Sequence, residues 1–414
     1  MKLFEAGSLW SYKGYRLFWF STTIFVLGAT AFPIALAVTV LDAGGGATTL
    51  GLILGARVLS GVVFAPFAGV WADRLPRKQV MIVADLFRAT IVFSLVFVSA
   101  PSMPHFLVGL MVFVMGIGDA FGAASAGAFL PSLLPVEKLP AGNVARGVVV
   151  RMASIVGPGI GGLSVFLIGG RMTFLFTAIA FACGTYFLAQ IKEDVNADKK
   201  PQEPFFTELR EGLRTVWEIK WVGAMIAMAS VQLMVVLAAE NVLLPIITRR
   251  EFNTNTVFAL SAAAFSIGGI ISAIIFGQIK VKHEGQTSVL IWMLLVIAPL
   301  SLAFPINEYF VAASYLLAGL SVGPWEAYWN SAIQREIPHE LQGRVFSIDH
   351  MGSSGLMPLG MALVGPAVAI FGEKELLIGA SVFHIIICLL VLMVPGVKDM
   401  KAPANYSQGE QGQA

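Results

Sequence analysis

The stretch Gly69-Val-Trp-Ala-Asp73-Arg74-Leu-Pro-Arg77-Lys78 is a knot of charge set between two apolar runs, Thr48 to Val70 and Gln79 to Ala100. Each run has the roughly 20 apolar residues that an α-helix needs to cross a bilayer. The flanking runs therefore read as membrane spans and the knot as a tight loop at the membrane surface. Working outward, similar runs cover Tyr15 to Val40, His105 to Leu130, Val144 to Ile168 and Met172 to Ile191 in the first half. The second half contains Trp221 to Thr248, Val257 to Ile279, Thr287 to Phe304, Tyr309 to Ile333, Val345 to Phe371 and Glu375 to Val394. The pattern predicts an all-α membrane protein of twelve transmembrane helices in two pseudo-symmetric six-helix bundles.

Composition agrees with that pattern. Apolar and aromatic residues (AVILMFWYC) make up 57% of the 414 positions and DEKR only 13%, against roughly half and a quarter in soluble domains. A net charge of +2, with no basic run interleaved with aromatics, excludes nucleic acid as a partner. Cys183 and Cys388 sit inside apolar runs of different halves, which indicates neither a disulfide framework nor a thiolate metal site. Residues 1–13 lack the short apolar core and small-residue cleavage site of a signal peptide and are expected to form a cytoplasmic interfacial helix.

Basic residues are retained in the cytoplasm, so their placement orients the chain. Of 27 Lys and Arg, 20 fall at the termini, in the even-numbered loops or at the cytoplasmic edge of a span (Arg16, Arg146), against four in the odd-numbered loops (Arg171, Arg249, Arg250, Lys374) and three deeper within spans (Arg57, Arg88, Arg151). Both termini are thus expected in the cytoplasm. The expected organisation is a bundle over 14–191, a cytoplasmic linker over 192–220, a second bundle over 221–395 and a cytoplasmic tail over 396–414. The halves also repeat in sequence. Pro135 to Asn143 matches Pro338 to Phe346, and Gly157-Pro158 is echoed by Met357-Pro358, an offset of 200 to 203 residues. Six-helix repeats of this kind build a transport site between two moving bundles.

The knot itself resembles the G-x-L-x-D-R-x-G-R-K signature of the major facilitator superfamily, with Trp71 for the usual Leu and Pro76 for the second Gly. The equivalent loop of the second half, Gly277-Gln-Ile-Lys-Val-Lys282, is degenerate. Ala84-Asp85-Leu-Phe-Arg88, Gly116-Ile-Gly-Asp119 and the Leu-Gln-Gly-Arg-Val-Phe-Ser stretch ending at Ser347 are similar to the bacterial efflux branch that contains enterobactin exporters and macrolide efflux proteins. Gly157-Pro158-Gly-Ile-Gly161-Gly162 resembles part of the helix-five motif of drug/proton antiporters, though Ala153 and Val144 stand where earlier glycines belong. The branch's helix-four arginine motif is missing. The resemblance implies that Gly69, Asp73, Arg74, Arg77 and Lys78 form a conformational latch, with Asp73 against the start of helix eleven near Arg344 and Val345. Arg74, Arg77 and Lys78 would pair with acids or lipid headgroups. The plainer alternative is a topology anchor.

Ionisable residues inside spans are costly and are functional candidates by default. At 1.5 Å rise per residue, Asp119 lies roughly 16 Å and Glu326 roughly 12 Å from the cytoplasmic ends of their helices, while Glu240 lies roughly 13 Å from the outer end of its own. The repeat offset places Asp119 and Glu326 on equivalent faces, where they could oppose each other across a cavity. Burial raises a carboxylate's pKa and a nearby cation lowers it, which suits proton exchange. Against this, the acids could simply neutralise Arg57, Arg88 and Arg151. That alternative is preferred for Asp85 and Arg88, three apart on one helix face. Trp325, with Tyr328 and Trp329, could stack on a flat or cationic substrate or merely fill space. His384 reads as structural, and Asp349 and His350 as water-exposed. Gly157, Pro158, Gly161 and Gly162 should bend helix five and let it approach a neighbour.

These readings point to a secondary active transporter that exports a drug-like or siderophore-like molecule by alternating access, with proton antiport. The partners implied are a small-molecule substrate, protons and the lipid bilayer, with the chain acting as a monomer in a bacterial inner (cytoplasmic) membrane. Facilitated export of a metal ion, metal chelate or lipid-like molecule is the alternative. A membrane sensor or enzyme is disfavoured, since no metal cluster or nucleotide loop is evident, and no cofactor or resident metal is expected.

Overall fold

A computed structural model describes residues 8–98, 104–192, 205–276, 279 and 281–401. Every regular element among them is helical. Among the described residues ten helical stretches are long and apolar enough to span a membrane, so the chain is a multi-pass membrane protein. Two compact units are present, Met1–Pro201 with Thr254–Ala263, and Gln202–Asn253 with Ala264–Ala414.

The first unit is built from α1 (Lys13–Asp42), α2 (Ala47–Arg74), α3 (Arg77–Val98), α4 (His105–Phe129) and α5 (Leu139–Ala189). With 51 residues, α5 is roughly 77 Å long at 1.5 Å per residue, enough for two crossings of a core about 30 Å thick. It breaks at Gly169, whose φ of 77° is a conformation that a side chain would disfavour. The break falls between the fifth and sixth expected spans. Among the described residues no other backbone inside α5 departs from helical φ/ψ. The Gly157 to Gly162 stretch permits close approach to α1. A Cβ on Gly157 would lie 1.6 Å from Thr30 Oγ1, and one on Gly161 2.8 Å from the Ala31 Cα. Thr30 Oγ1 also donates across the gap to the Ala153 carbonyl at 3.3 Å. In lipid, helices associate through such small-residue packing because there is no hydrophobic drive between them.

At one end of this unit Tyr15, Phe18, Met81, Phe129, Leu130, Leu134, Leu188 and Ile191 form a buried cluster. Lys78 reaches over it and donates to the carbonyls of Ala189 at 2.8 Å and Ile191 at 2.5 Å. These carbonyls end a helix, where a cation is favoured by the unsatisfied oxygens and the helix dipole. The reading of Lys78 as a partner of acids or headgroups thus missed a role as helix cap.

The second unit begins with α6 (Phe205–Glu218), followed by α7 (Lys220–Gln232), a π-helical turn at Leu233–Leu237 and α8 (Ala238–Phe252). Then come α9 (Thr256–Phe276), α10 (Glu284–Trp292), α11 (Ile297–Ala303), α12 (Glu308–Gly319), α13 (Val322–Glu336), α14 (His339–Gly355), α15 (Met357–Phe371) and α16 (Glu373–Val391). Residues 205–218 were expected within a polar linker and instead form a helix that exposes Trp217 while burying Val216. The tenth expected span is split into α12 and α13. The split follows crowding against α9, where a Cβ on Gly319 would lie 2.0 Å from the Phe265 carbonyl oxygen, and the Gly323 N–H leaves the helix ladder to donate to Ser272 Oγ at 3.0 Å. The eleventh is interrupted before Pro358. α5 covers two expected crossings but counts once, and splitting makes α12 and α13 each shorter than a span, so the count of ten remains consistent with twelve crossings. α14 begins at His339, so Arg344 and Val345 lie inside it rather than at its start, a correction to the expected latch partner.

Residues 396–401, expected as free tail, fold back onto this unit. Val397 and Met400 are fully buried, the Gln286 N–H donates to the Lys398 carbonyl at 2.9 Å, and His283 Nδ1 meets Asp399 Oδ1 at 2.5 Å. That hydrogen bond holds the Asp399 carboxyl below its ordinary range.

Gly157→Val should place methyl groups inside Thr30 and cost about 1–3 kcal/mol, the scale of overpacking. Thermal melting of the purified protein should show a clear fall for it and none for Gly147→Ala, where the new Cβ meets nothing within 4 Å.

Candidate functional site

Three helices of the first unit bring four charges together. Asp119 on α4 accepts from Arg57 Nε of α2 at 2.9 Å through Oδ2, and from Arg88 Nη1 of α3 at 3.1 Å through Oδ1. Arg88 also donates to Asp85, one turn away on its own helix. The glycines of the Gly116-Ile-Gly-Asp stretch make the space. A Cβ on Gly118 would lie 2.9 Å from Arg88 Cγ, one on Gly122 2.6 Å from Arg88 Nη2, and one on Gly116 2.4 Å from the Arg57 carbonyl oxygen. Phe25 lies 4.2 Å from the Arg88 guanidinium and Phe32 5.1 Å from that of Arg57, measured to the ring centroids. Such cation–π contacts stabilise a desolvated arginine further.

The four charges sum to zero but are unequally buried. Arg88 and Asp85 have side-chain exposures of 5% and 7%, against 20% for Arg57 and 30% for Asp119. The inner pair is structural in character, and the outer pair is reachable. The structure therefore joins Asp85, Arg88, Arg57 and Asp119, of which only Asp85 and Arg88 had been expected as a pair. The side chains of Gly69, Asp73, Arg74, Arg151 and Pro158 lie outside the described set.

The second unit carries Glu240, placed one turn after the π-helical segment and buried at 9% exposure. Gly360 of α15 admits that segment closely, since a Cβ there would lie 1.9 Å from the Met234 carbonyl oxygen. Among the described residues no Lys, Arg or His offsets Glu240, and its polar neighbour is the Tyr315 hydroxyl of α12. That hydroxyl is buried and makes no hydrogen bond of ordinary geometry. Burying a lone carboxylate charge costs several kcal/mol, so this is the position where a proton or a cationic ligand has most effect.

The tryptophans form a column. Trp292 and Trp325 stack at 5.1 Å and 30°, Trp325 and Trp329 run parallel at 6.4 Å and 8°, and Trp221 meets Trp329 edge-on at 5.7 Å. Trp325 is thereby engaged by the protein's own rings, while Glu326 beside it is exposed. Asp349, expected to face water, accepts from Trp329 Nε1 at 2.9 Å and Ser353 Oγ at 2.9 Å. His384 is buried and donates from Nε2 to the Trp292 carbonyl at 3.0 Å. Gln232, which sequence reasoning missed, accepts from Trp292 Nε1 at 2.8 Å and donates to Cys388 Sγ at 3.2 Å. No cluster of metal-ligating side chains occurs among the described residues.

Comparison with known proteins places this arrangement in context. Curated relatives include the multidrug efflux pump Tap of Mycolicibacterium fortuitum, 26% identical over 87% of this chain and 90% of the relative. Macrolide efflux protein A of Streptococcus pyogenes is 25% identical, again over 87% of this chain and 90% of the relative. In fold the chain is similar to a D-xylose–proton symporter, with a TM-score of 0.72 at 11% identity over 95% of this chain and all of that one. It is likewise similar to a bacterial homologue of the iron transporter ferroportin in its inward-facing state, with a TM-score of 0.70 at 13% identity over 94% of this chain and all of that one. At such identities the likeness is one of fold. The sequence profile of the Major Facilitator Superfamily matches residues 18–361, and the chain belongs to that superfamily, as a transporter and not an enzyme.

Proposed function

We propose that the protein exports a small, drug-like or siderophore-like molecule by alternating access, in exchange for protons, with Glu240 as the group that carries the proton. The observation that supports this most is the solitary burial of Glu240 beside the unsatisfied Tyr315 hydroxyl. A buried ionisable group without a counter-charge changes its proton occupancy whenever water or a cation reaches it. The π-turn before it adds a local irregularity of the kind often found at functional sites. Efflux itself is supported by the relatives, which are multidrug and macrolide efflux proteins over most of their length. In this reading Asp119 and Arg57 line the substrate cavity, Glu326 is a second acidic contact, and the Gly69 to Lys78 loop is the latch between access states. Lys78 would fix the loop to the end of α5 through its two carbonyl bonds.

In proteoliposomes, dye or macrolide export by the wild-type protein should rise at least tenfold when an inward proton gradient is imposed. Glu240→Gln should lose that stimulation while still being stabilised against heat by the same substrate, and Glu240→Asp should retain part of it. Stimulation of Glu240→Gln equal to wild type would remove Glu240 from the coupling role.

The proposed location is the bacterial inner membrane with both termini in the cytoplasm. Reporter fusions after Lys401 should fluoresce as a green fluorescent protein and be inactive as alkaline phosphatase, with the opposite outcome after Asn253. Phosphatase activity after Lys401 would invert the topology.

A further inference from the structure

Arg57 is held by only one edge. Its Nε donates to Asp119 at 2.9 Å and one ring, Phe32, lies beside its guanidinium, but among the described residues neither Nη1 nor Nη2 has a hydrogen-bond partner. A guanidinium presents five donors in a planar fork whose two terminal nitrogens match the oxygens of a carboxylate. At the middle depth of α2 an open fork is expensive to leave in hydrocarbon, and such groups face a water-filled cavity instead. The side chain is also one-fifth exposed.

The charge distribution behind the fork strengthens the argument. Asp119 is shared, and its second oxygen is held by Arg88 at 3.1 Å. A ligand anion that draws Arg57 partly away would leave Asp119 still hydrogen-bonded to Arg88, while Arg57 stays close enough to balance the added negative charge. Arg88 in turn is secured by Asp85.

We propose that the terminal nitrogens of Arg57 recognise a carboxylate on the transported molecule. The inference rests on the export reading only in taking the ligand to be cargo. Binding is measured without any gradient, so a failure of proton coupling and a failure of this site are separable. A phosphate from a lipid headgroup would offer the same chemistry, and the test separates the two.

The probes are dansyl-phenylalanine, which carries a free carboxylate, and dansyl-phenylalaninamide, which does not. Their affinities for the purified full-length protein are read by fluorescence in detergent. The wild-type protein should prefer the carboxylate. Arg57→Gln should weaken the carboxylate probe at least tenfold, the scale of a charged hydrogen-bonded pair, and leave the amide within about twofold. Asp119→Asn, which removes the competing acid, should tighten the carboxylate probe and not the amide. Melting temperatures without ligand identify variants that fail to fold, and Arg57→Lys, which keeps the charge but not the fork, then substitutes for Arg57→Gln with an intermediate loss. The proposal is overturned if the wild type shows no carboxylate preference, if both probes weaken together in Arg57→Gln, or if Asp119→Asn weakens the carboxylate probe. It is also overturned if the preference present in phosphatidylcholine nanodiscs disappears when phosphatidylglycerol is added, since the fork would then belong to a headgroup.

Discussion

A charge inside a bilayer must be answered by another charge or by water, and the first unit answers its own. Arg88 stands between Asp85 and Asp119, and Asp119 between Arg88 and Arg57. Three helices are tied by these bonds at a depth where lipid offers no substitute. The glycines at 116, 118 and 122 follow from the same constraint, because α4 must come close enough to seat two arginines without a Cβ in the way. Removing one member of such a network leaves an uncompensated charge, which is far costlier than never having built it. Elsewhere in this unit the joints are apolar and small. α1 lies against α5 through Thr30 and Ala31 on one side and Gly157 and Gly161 on the other.

The second unit resolves the same constraint differently. In its tryptophan column Gln232 and Asp349 accept from the Trp292 and Trp329 indoles and His384 donates to the Trp292 carbonyl, and Asp349 is the charged group among these partners. Among the described residues Glu240 is left with a tyrosine and no cation. The proposed division of labour follows from this contrast. A charge-balanced network with one open edge suits recognition, while a solitary acid suits proton exchange. The helices of the second unit are also more broken, at the π-turn before α8, between α12 and α13 and before α15. Broken helices in transporters lie where backbone or side chains must meet a cavity.

Much of the fold was legible in the sequence because the bilayer imposes one rule on every span. Run length marked the helices, the gap between the runs ending at Ile168 and starting at Met172 marked the division of α5, and the three-residue spacing of Asp85 and Arg88 marked their pair. Other features are long-range and leave no local trace. Arg57 and Asp119 are 62 positions apart, and nothing in either helix names the other. Glu240 stood out because its helix holds no base at that depth, but Tyr315, on another helix, could not be foreseen. The capping bonds of Lys78 could not be foreseen because their acceptors are backbone carbonyls, which every residue has. α6 was missed because hydropathy averages hide an amphipathic helix, whose signal is its period. The likeness of the Gly157 to Gly162 stretch to a helix-five motif pointed to a bend there, whereas the residue in α5 with a positive φ is Gly169.

The central claim, that one unpaired acid couples export to protons, is tested most directly by following that acid's protonation in the intact protein. Infrared difference spectra recorded on adding a transported substrate to the reconstituted protein report the carbonyl stretch of protonated carboxylic acids. The account predicts loss of a protonated-acid band on substrate binding, with release of a proton to the medium, and absence of that band change in Glu240→Gln. Substrate binding that leaves this spectral region unaltered, or an identical band change in Glu240→Gln, would contradict it.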